Sequence, residues 1–175
     1  MIKLTPALTA IALACAAPFA AAAQDILPTR GDEISEFRKA GAWHVRKNET
    51  RGLCFASYKS ESGAIVQFGF AEDETAGYLG LFSQQAPDVP PTQEIAVLVN
   101  DNLYVGEATG MGPSIEDGYA GGYILVNNPE FVKDIEIGKE LIAFPETPDA
   151  YIVDMSGASN ALYEVRKCTN ELKAE

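Results

Sequence analysis

The sequence predicts a mainly β protein: a single antiparallel β-sandwich or barrel-like domain with two or three short helices, one of them C-terminal. Three observations carry this expectation. Short runs of alternating apolar and polar residues recur along the chain, separated by Gly-rich and Pro-rich turns. Helical spacing of apolar residues is confined to short stretches, the last of which reaches the third cysteine. The length of 175 residues fits one ordinary domain, and 47% hydrophobic with 22% charged residues is a globular balance. No repeat and no linker composition divides the chain.

The N-terminus reads as a targeting segment. Lys3 is the only charge before Asp25, residues 4–23 are apolar, and Ala21, Ala22 and Ala23 precede Gln24. A basic start, an apolar run and an A-x-A site describe a secretory signal peptide over residues 1–23, leaving 24–175 as one secreted β-rich domain. The dense core of that run is short for a spanning helix, which needs about 20 apolar residues, and Pro18 and the Ala run suit cleavage better. No stable membrane span is therefore expected after cleavage, and the product is expected to be periplasmic or secreted. Lipidation at Cys15 is disfavoured because Ala12 stands where a lipoprotein signal normally has Leu.

After a loose lead-in over residues 24–31, residues 32–39 have the spacing of a short helix. Asp32 is its cap, Ile34, Phe37 and Ala40 share a face, and Gly41 stops it. Strands are expected from Trp43, over 53–58, over 64–70 and over 78–82, the third and fourth separated by Glu72-Asp73-Glu74. In the fourth, Tyr78, Gly80 and Phe82 face one way and Leu79 and Leu81 the other. Pro87, Pro90 and Pro91 make residues 83–93 a surface connection. A hairpin follows, 94–99 and 103–105, turning at Asn100-Asp101-Asn102. A Gly-rich loop over 106–122 leads to a strand over 123–126. Asn128-Pro129 opens a helix with a buried stripe of Phe131, Val132 and Ile135, ended by Gly138. Strands over 140–144 and 151–155 precede a helix from about Ser159. There Ala161, Leu162, Val165 and Cys168 share a face, and Arg166 and Lys167 lie late, where the helix dipole favours cations.

Export leaves Cys54 and Cys168. An even count in an oxidising compartment reads as a disulfide. The rival reading is a reactive thiol or a metal ligand, but two Cys and one His make a poor metal set. No metal and no cofactor is expected.

The net charge of −12 and a pI near 4.5 argue against nucleic acid as a partner, which needs clustered Lys and Arg. No catalytic residue is assigned. His44, the sole histidine, lies between Trp43 and Val45 on a strand and faces away from both, with no nucleophile signature beside it. The segment from Gly110 to Gly118 lacks the Gly-Lys-Ser/Thr ending of a phosphate loop, and Pro113 has no N–H to offer. It is instead a candidate binding loop, contributing Met111, Ser114, Glu116 and Asp117, with Tyr119 and Tyr123 beside Gly121-Gly122 as exposed aromatic candidates. The Glu72-Asp73-Glu74 run does not have the ligand spacing of a calcium loop and reads as a solvated turn.

Two stretches carry a resemblance. One is the Trp43-x-Val45 strand followed by the Cys54 strand. The other runs Phe131-Val132-x-x-Ile135-x-x-Gly138-x-Glu140-Leu141, then Val153-Asp154-Met155-Ser156-Gly157-x-x-x-Ala161-Leu162 and Cys168. Together they resemble the invasion-associated locus B-like family of small secreted alphaproteobacterial proteins. The sequence departs from that family around Trp43-His44-Val45-Arg46, where members often carry a further cysteine. The resemblance implies a periplasmic or surface-associated β-rich protein, with a part in host association in some members, and carries over no catalytic residue.

The expectation is thus an exported, non-enzymatic protein-binding module of the bacterial envelope, its partner another protein of the envelope or a host. The alternative is a periplasmic inhibitor of a basic cell-wall hydrolase such as lysozyme, which the acidic charge would steer. A hydrolase using paired carboxylates is a third class, but 25 acidic residues supply some pair in any fold.

Overall fold

The computed structural model describes residues 26–85, 93–108, 110, 115–145 and 147–174. The signal-peptide assignment, most of the Pro-rich connection, Met111 and Ser114 therefore lie outside the described residues. Two antiparallel sheets form. The larger has the order β1-β2-β3-β4-β5-β8, from β1 (Ile34–Ala40), β2 (Trp43–Asn48), β3 (Leu53–Lys59), β4 (Ile65–Phe70), β5 (Gly77–Ser83) and β8 (Ala120–Val126). The smaller has the order β10-β9-β6-β7, from β6 (Glu94–Val99), β7 (Asn102–Glu107), β9 (Glu140–Ala143) and β10 (Tyr151–Asp154). Neither sheet closes on itself, so the barrel alternative is set aside. Two helices are described, α1 (Glu130–Ile137) and the C-terminal α2 (Ala158–Ala174).

The expected helix over 32–39 is instead strand β1, and the reason is local. The register against β2 slips between Glu36 and Arg38, leaving Phe37 as the extra residue of a bulge. The bulge resets the alternation, so Phe37 and Ala40 pack on one face of the sheet and Ile34 on the other, and the three covered positions at intervals of three imitate a helical stripe. Asp32 does not cap a helix. It accepts hydrogen bonds from Thr29, from Asn48 Nδ2 at 2.6 Å and from Arg51 Nε at 2.9 Å, tying the lead-in to the β2–β3 turn.

Both faces of the larger sheet are covered. Val45, Ala56, Phe68, Leu79, Leu81 and Ile124 point into the main core, which they share with the inner residues of the smaller sheet and both helices. Phe55, Ile65, Tyr78, Phe82 and Tyr123 point the other way, under Ile26, Leu27, Ile115 and Tyr119. That two-sided burial leaves every residue of β4 and β5 buried, and all but Gln67 and Ser83 are apolar or glycine. Space for the second cluster comes from glycine: a Cβ at Gly80 would lie 2.4 Å from the Tyr123 ring, and one at Gly121 would lie 1.9 Å from the Leu81 carbonyl oxygen.

Helix α2 packs on β1, β2, β3 and α1. Cys168 on its buried face is bonded to Cys54 on β3, with Cα atoms 6.0 Å apart and a sequence separation of 114. Trp43 is fully buried under this helix and donates its Nε1 hydrogen to the Ser156 carbonyl at 3.1 Å. Helix α1 begins as its residues require: Asn128 Oδ1 accepts from the Glu130 N–H at 3.0 Å, Pro129 has helical dihedrals, and Gly138 closes the helix in the left-handed region.

Candidate protein-docking face

The strand pairings of the smaller sheet put one unusual surface on the outside. Ile95, Val97, Val99, Tyr104, Leu141, Ala143 and Val153 face the core. Their neighbours alternate to the opposite side. The register Ile152↔Ile142↔Leu98↔Leu103 lines up four aliphatic residues straight across β10, β9, β6 and β7, and Ala96↔Val105 adds a second row. Leu103, Val105 and Ile152 are 56%, 49% and 61% exposed. At one end of this strip Glu94 stands directly opposite Glu107; at the other, Glu140 stands opposite Asp154. The outward residues of these four strands are therefore aliphatic or acidic, and none is basic. Like charges in direct cross-strand register destabilise a sheet, and an aliphatic strip in water gains nothing for the monomer.

This face is held rigidly from behind. Asn100 and Asp101 have φ of 48° and 76°, the left-handed pair that a two-residue hairpin turn requires. Asn100 Nδ2 donates to the Asp134 carbonyl at 2.5 Å, and its Oδ1 accepts from the N–H groups of Lys139 and Glu140. The buried Asp134 carboxylate accepts from Asn102 Nδ2 at 2.9 and 3.0 Å and from the Tyr104 hydroxyl at 2.5 Å. Burial, followed by the bond to Asp134, pushes the Tyr104 hydroxyl well above its usual range. One helix end, one turn and the start of β9 are thus fixed together.

A groove of about 330 Å³ opens on the same side, between the β6–β7 hairpin and the turn after β9. Ala96, Leu103, Val105 and Phe144 supply apolar walls, and Glu94 and Asp149 are the charged residues among those described around it. The turn is braced by the Phe144 N–H to the Ala96 carbonyl at 3.2 Å and by Thr147, whose N–H and hydroxyl donate to the Phe144 carbonyl.

The residues singled out in the sequence are placed differently. Tyr123 is 1% exposed and donates its hydroxyl to Gln67 Oε1 at 2.5 Å; burial holds that hydroxyl well above its usual range. Tyr119 is buried too, donates to the Gly63 carbonyl at 2.9 Å and lies under the Lys59 ammonium. Neither ring is an exposed platform, which corrects the expectation that Tyr119 and Tyr123, beside Gly121-Gly122, are exposed. Glu116 and Asp117 are exposed, and Glu116 pairs with Lys59 at 3.5 Å. The Glu72-Asp73-Glu74 turn serves α2: Glu74 holds Arg166 at 2.6 Å and Glu72 holds Lys173 at 2.9 Å. The hydrogen bond from Arg166 draws the Glu74 carboxyl below its usual range.

His44 Nδ1 lies 3.1 Å from Glu36 Oε2, and Ser57 stands opposite His44 on β3. Ser57 accepts a hydrogen bond from Gln67 Nε2 at 3.4 Å. No group of three His, Cys, Asp or Glu side chains suited to a metal ion occurs among the described residues, and no helix there is long and apolar enough to cross a membrane. Comparison with protein-family models, with curated proteins and with solved structures finds no match to this chain.

Proposed function

We propose that the protein is an exported, non-enzymatic protein-binding module of the bacterial envelope, of the kind its likeness to the invasion-associated locus B-like family suggests. It docks through the outer face of the four-stranded sheet. The observation that carries this reading is the aliphatic row Ile152–Ile142–Leu98–Leu103 between two acidic cross-strand pairs. Both features cost the monomer stability and both are relieved by a partner. The two sheets act as a sandwich-like scaffold that presents the face, and the disulfide suits a periplasmic or secreted setting.

Each exposed aliphatic side chain is worth about 1 kcal/mol on full burial, half of what a fully exposed one would contribute. Leu103→Ser with Ile152→Ser should then weaken a complex by roughly 30-fold. The test uses oxidised wild-type protein and this double variant as paired baits against envelope extract and host-cell lysate at moderate salt. The reading expects a protein retained by the wild type and lost by the variant at equal thermal stability. An identical set on both baits would refute it.

A second reading, inhibition of a basic cell-wall hydrolase such as lysozyme, is favoured by the acidic rim and the net charge of −12. Its test is lysis by lysozyme with the protein in excess. Undiminished lysis would remove it.

A further inference from the structure

We infer that the groove beside the β6–β7 hairpin is the anchor subsite of the docking face, and that its occupant is a Lys or Arg side chain of a cationic partner protein. The inference rests on the docking-face reading and adds the partner's chemistry to it. The walls are apolar through Ala96, Leu103, Val105 and Phe144, and the charges are the carboxylates of Glu94 and Asp149. An aliphatic stem fits the first and a cationic head the second, which is how long basic side chains divide themselves between surfaces. Glu107, opposite Glu94, adds to the same negative potential. Arginine would gain most, because its planar guanidinium meets carboxylates in two-point fashion.

Other occupants fit less well. A second copy docking through the same face is excluded by its own surface: the outward residues of these strands are aliphatic or acidic, so two such faces would bring carboxylates against carboxylates. An anionic or purely apolar ligand would leave Glu94 and Glu107 unrelieved. A bare divalent cation lacks a set of three ligating side chains among the described residues. At the far end of the strip, Glu140 and Asp154 repeat the acidic pairing. Six residues of strand separate the two ends, on the order of 20 Å, so the partner presents basic groups on both sides of an aliphatic patch.

The experiment is a methyl NMR titration of the oxidised protein with two peptides. One is N-acetyl-Leu-Arg-Leu-amide; the other carries citrulline, the uncharged isostere, in place of Arg. Saturable shifts at the Leu103 and Val105 methyls are expected with the Arg peptide, with citrulline at least about tenfold weaker. Glu94→Gln with Asp149→Asn should remove that preference while leaving the methyl spectrum of the core unchanged. Equal binding of both peptides would overturn the cationic anchor. So would the absence of shifts at Leu103 and Val105 at peptide concentrations that perturb Ile142 and Ile152. Failure of the docking face itself shows separately, as unchanged capture by the Leu103→Ser/Ile152→Ser bait.

Discussion

Asp134 bears the largest single polar load behind the docking face, and its removal has a calculable cost. The residue is 4% exposed and its carboxylate accepts three contacts, two from Asn102 Nδ2 and one from the Tyr104 hydroxyl. Asp134→Ala strands the two donors unequally. Asn102 is exposed and finds water, but Tyr104 is 6% exposed and its hydroxyl does not. A hydrogen bond to a charged group contributes about 1.5–3 kcal/mol, and an unsatisfied buried donor costs a similar amount. These overlap, so the expected loss is about 3 kcal/mol. In a domain of this size that lowers Tm by roughly 6–12 °C. Removing the donor as well relieves part of the penalty. Tyr104→Phe alone should cost about 1.5 kcal/mol and the double variant about 2.5 kcal/mol, less than Asp134→Ala, a coupling near 2 kcal/mol. Urea unfolding of the oxidised protein at neutral pH reads all four corners of the cycle. A loss under about 0.5 kcal/mol for Asp134→Ala, or additive single variants, would refute the view that this carboxylate fixes the hairpin to α1.

Four further outcomes follow from the structure. Replacing both Cys54 and Cys168 with Ala should cost about 4–5 kcal/mol, because the bond closes a loop of 114 residues in the unfolded chain; intact mass with thiol labelling should find no free thiol in the native mature chain, residues 24–175. Burial raises the Asp32 carboxyl, but bonds from Arg51, Asn48 and Thr29 outweigh it and hold it well below the usual range. Its contribution is therefore present above the unfolded carboxylate pKa and is lost as pH falls through and below about 4, so Asp32→Asn should flatten the acid limb of a stability–pH curve. Glu107→Gln should stabilise the monomer by about 0.2–1 kcal/mol at low salt, with the gain vanishing at high salt, since it removes a like-charge pair. Gly121→Ala should fail to fold or lose more than about 3 kcal/mol in thermal scans, because its φ of 136° and the Leu81 carbonyl leave no room for a Cβ.

Much of the fold is legible in the residues themselves. The alternation of Val66, Phe68 and Phe70, the Asn100-Asp101 turn, the Asn128-Pro129 helix start and the Cys54–Cys168 pair each act locally or by simple counting. Strand β1 escaped because the bulge at Phe37 writes a three-residue period into an extended chain. The aromatic candidates escaped because Gly80 and Gly121 open space in the sheet for Tyr123, a consequence of neighbouring strands rather than of the loop's composition. The docking face was hidden more deeply. Residues 95–99 read Ile-Ala-Val-Leu-Val, apolar on both sides, as a strand buried on both faces would. Only the topology reveals that nothing among the described elements covers Ala96 and Leu98. The acidic pairs Glu94–Glu107 and Glu140–Asp154 likewise exist only once the register is set, and Asp134 looks like any charge on a short helix until its burial is known.

The central claim is that a partner sits on the four-stranded sheet. The most direct measurement is carbene footprinting of the protein alone and in complex with the protein it captures, read by mass spectrometry residue by residue. The account predicts protection of Leu103, Val105 and Ile152, with α2 and residues 115–119 labelled equally in both states. Protection confined to Tyr163 and its neighbours on α2, or to residues 115–119, with the aliphatic strip still labelled, would contradict it.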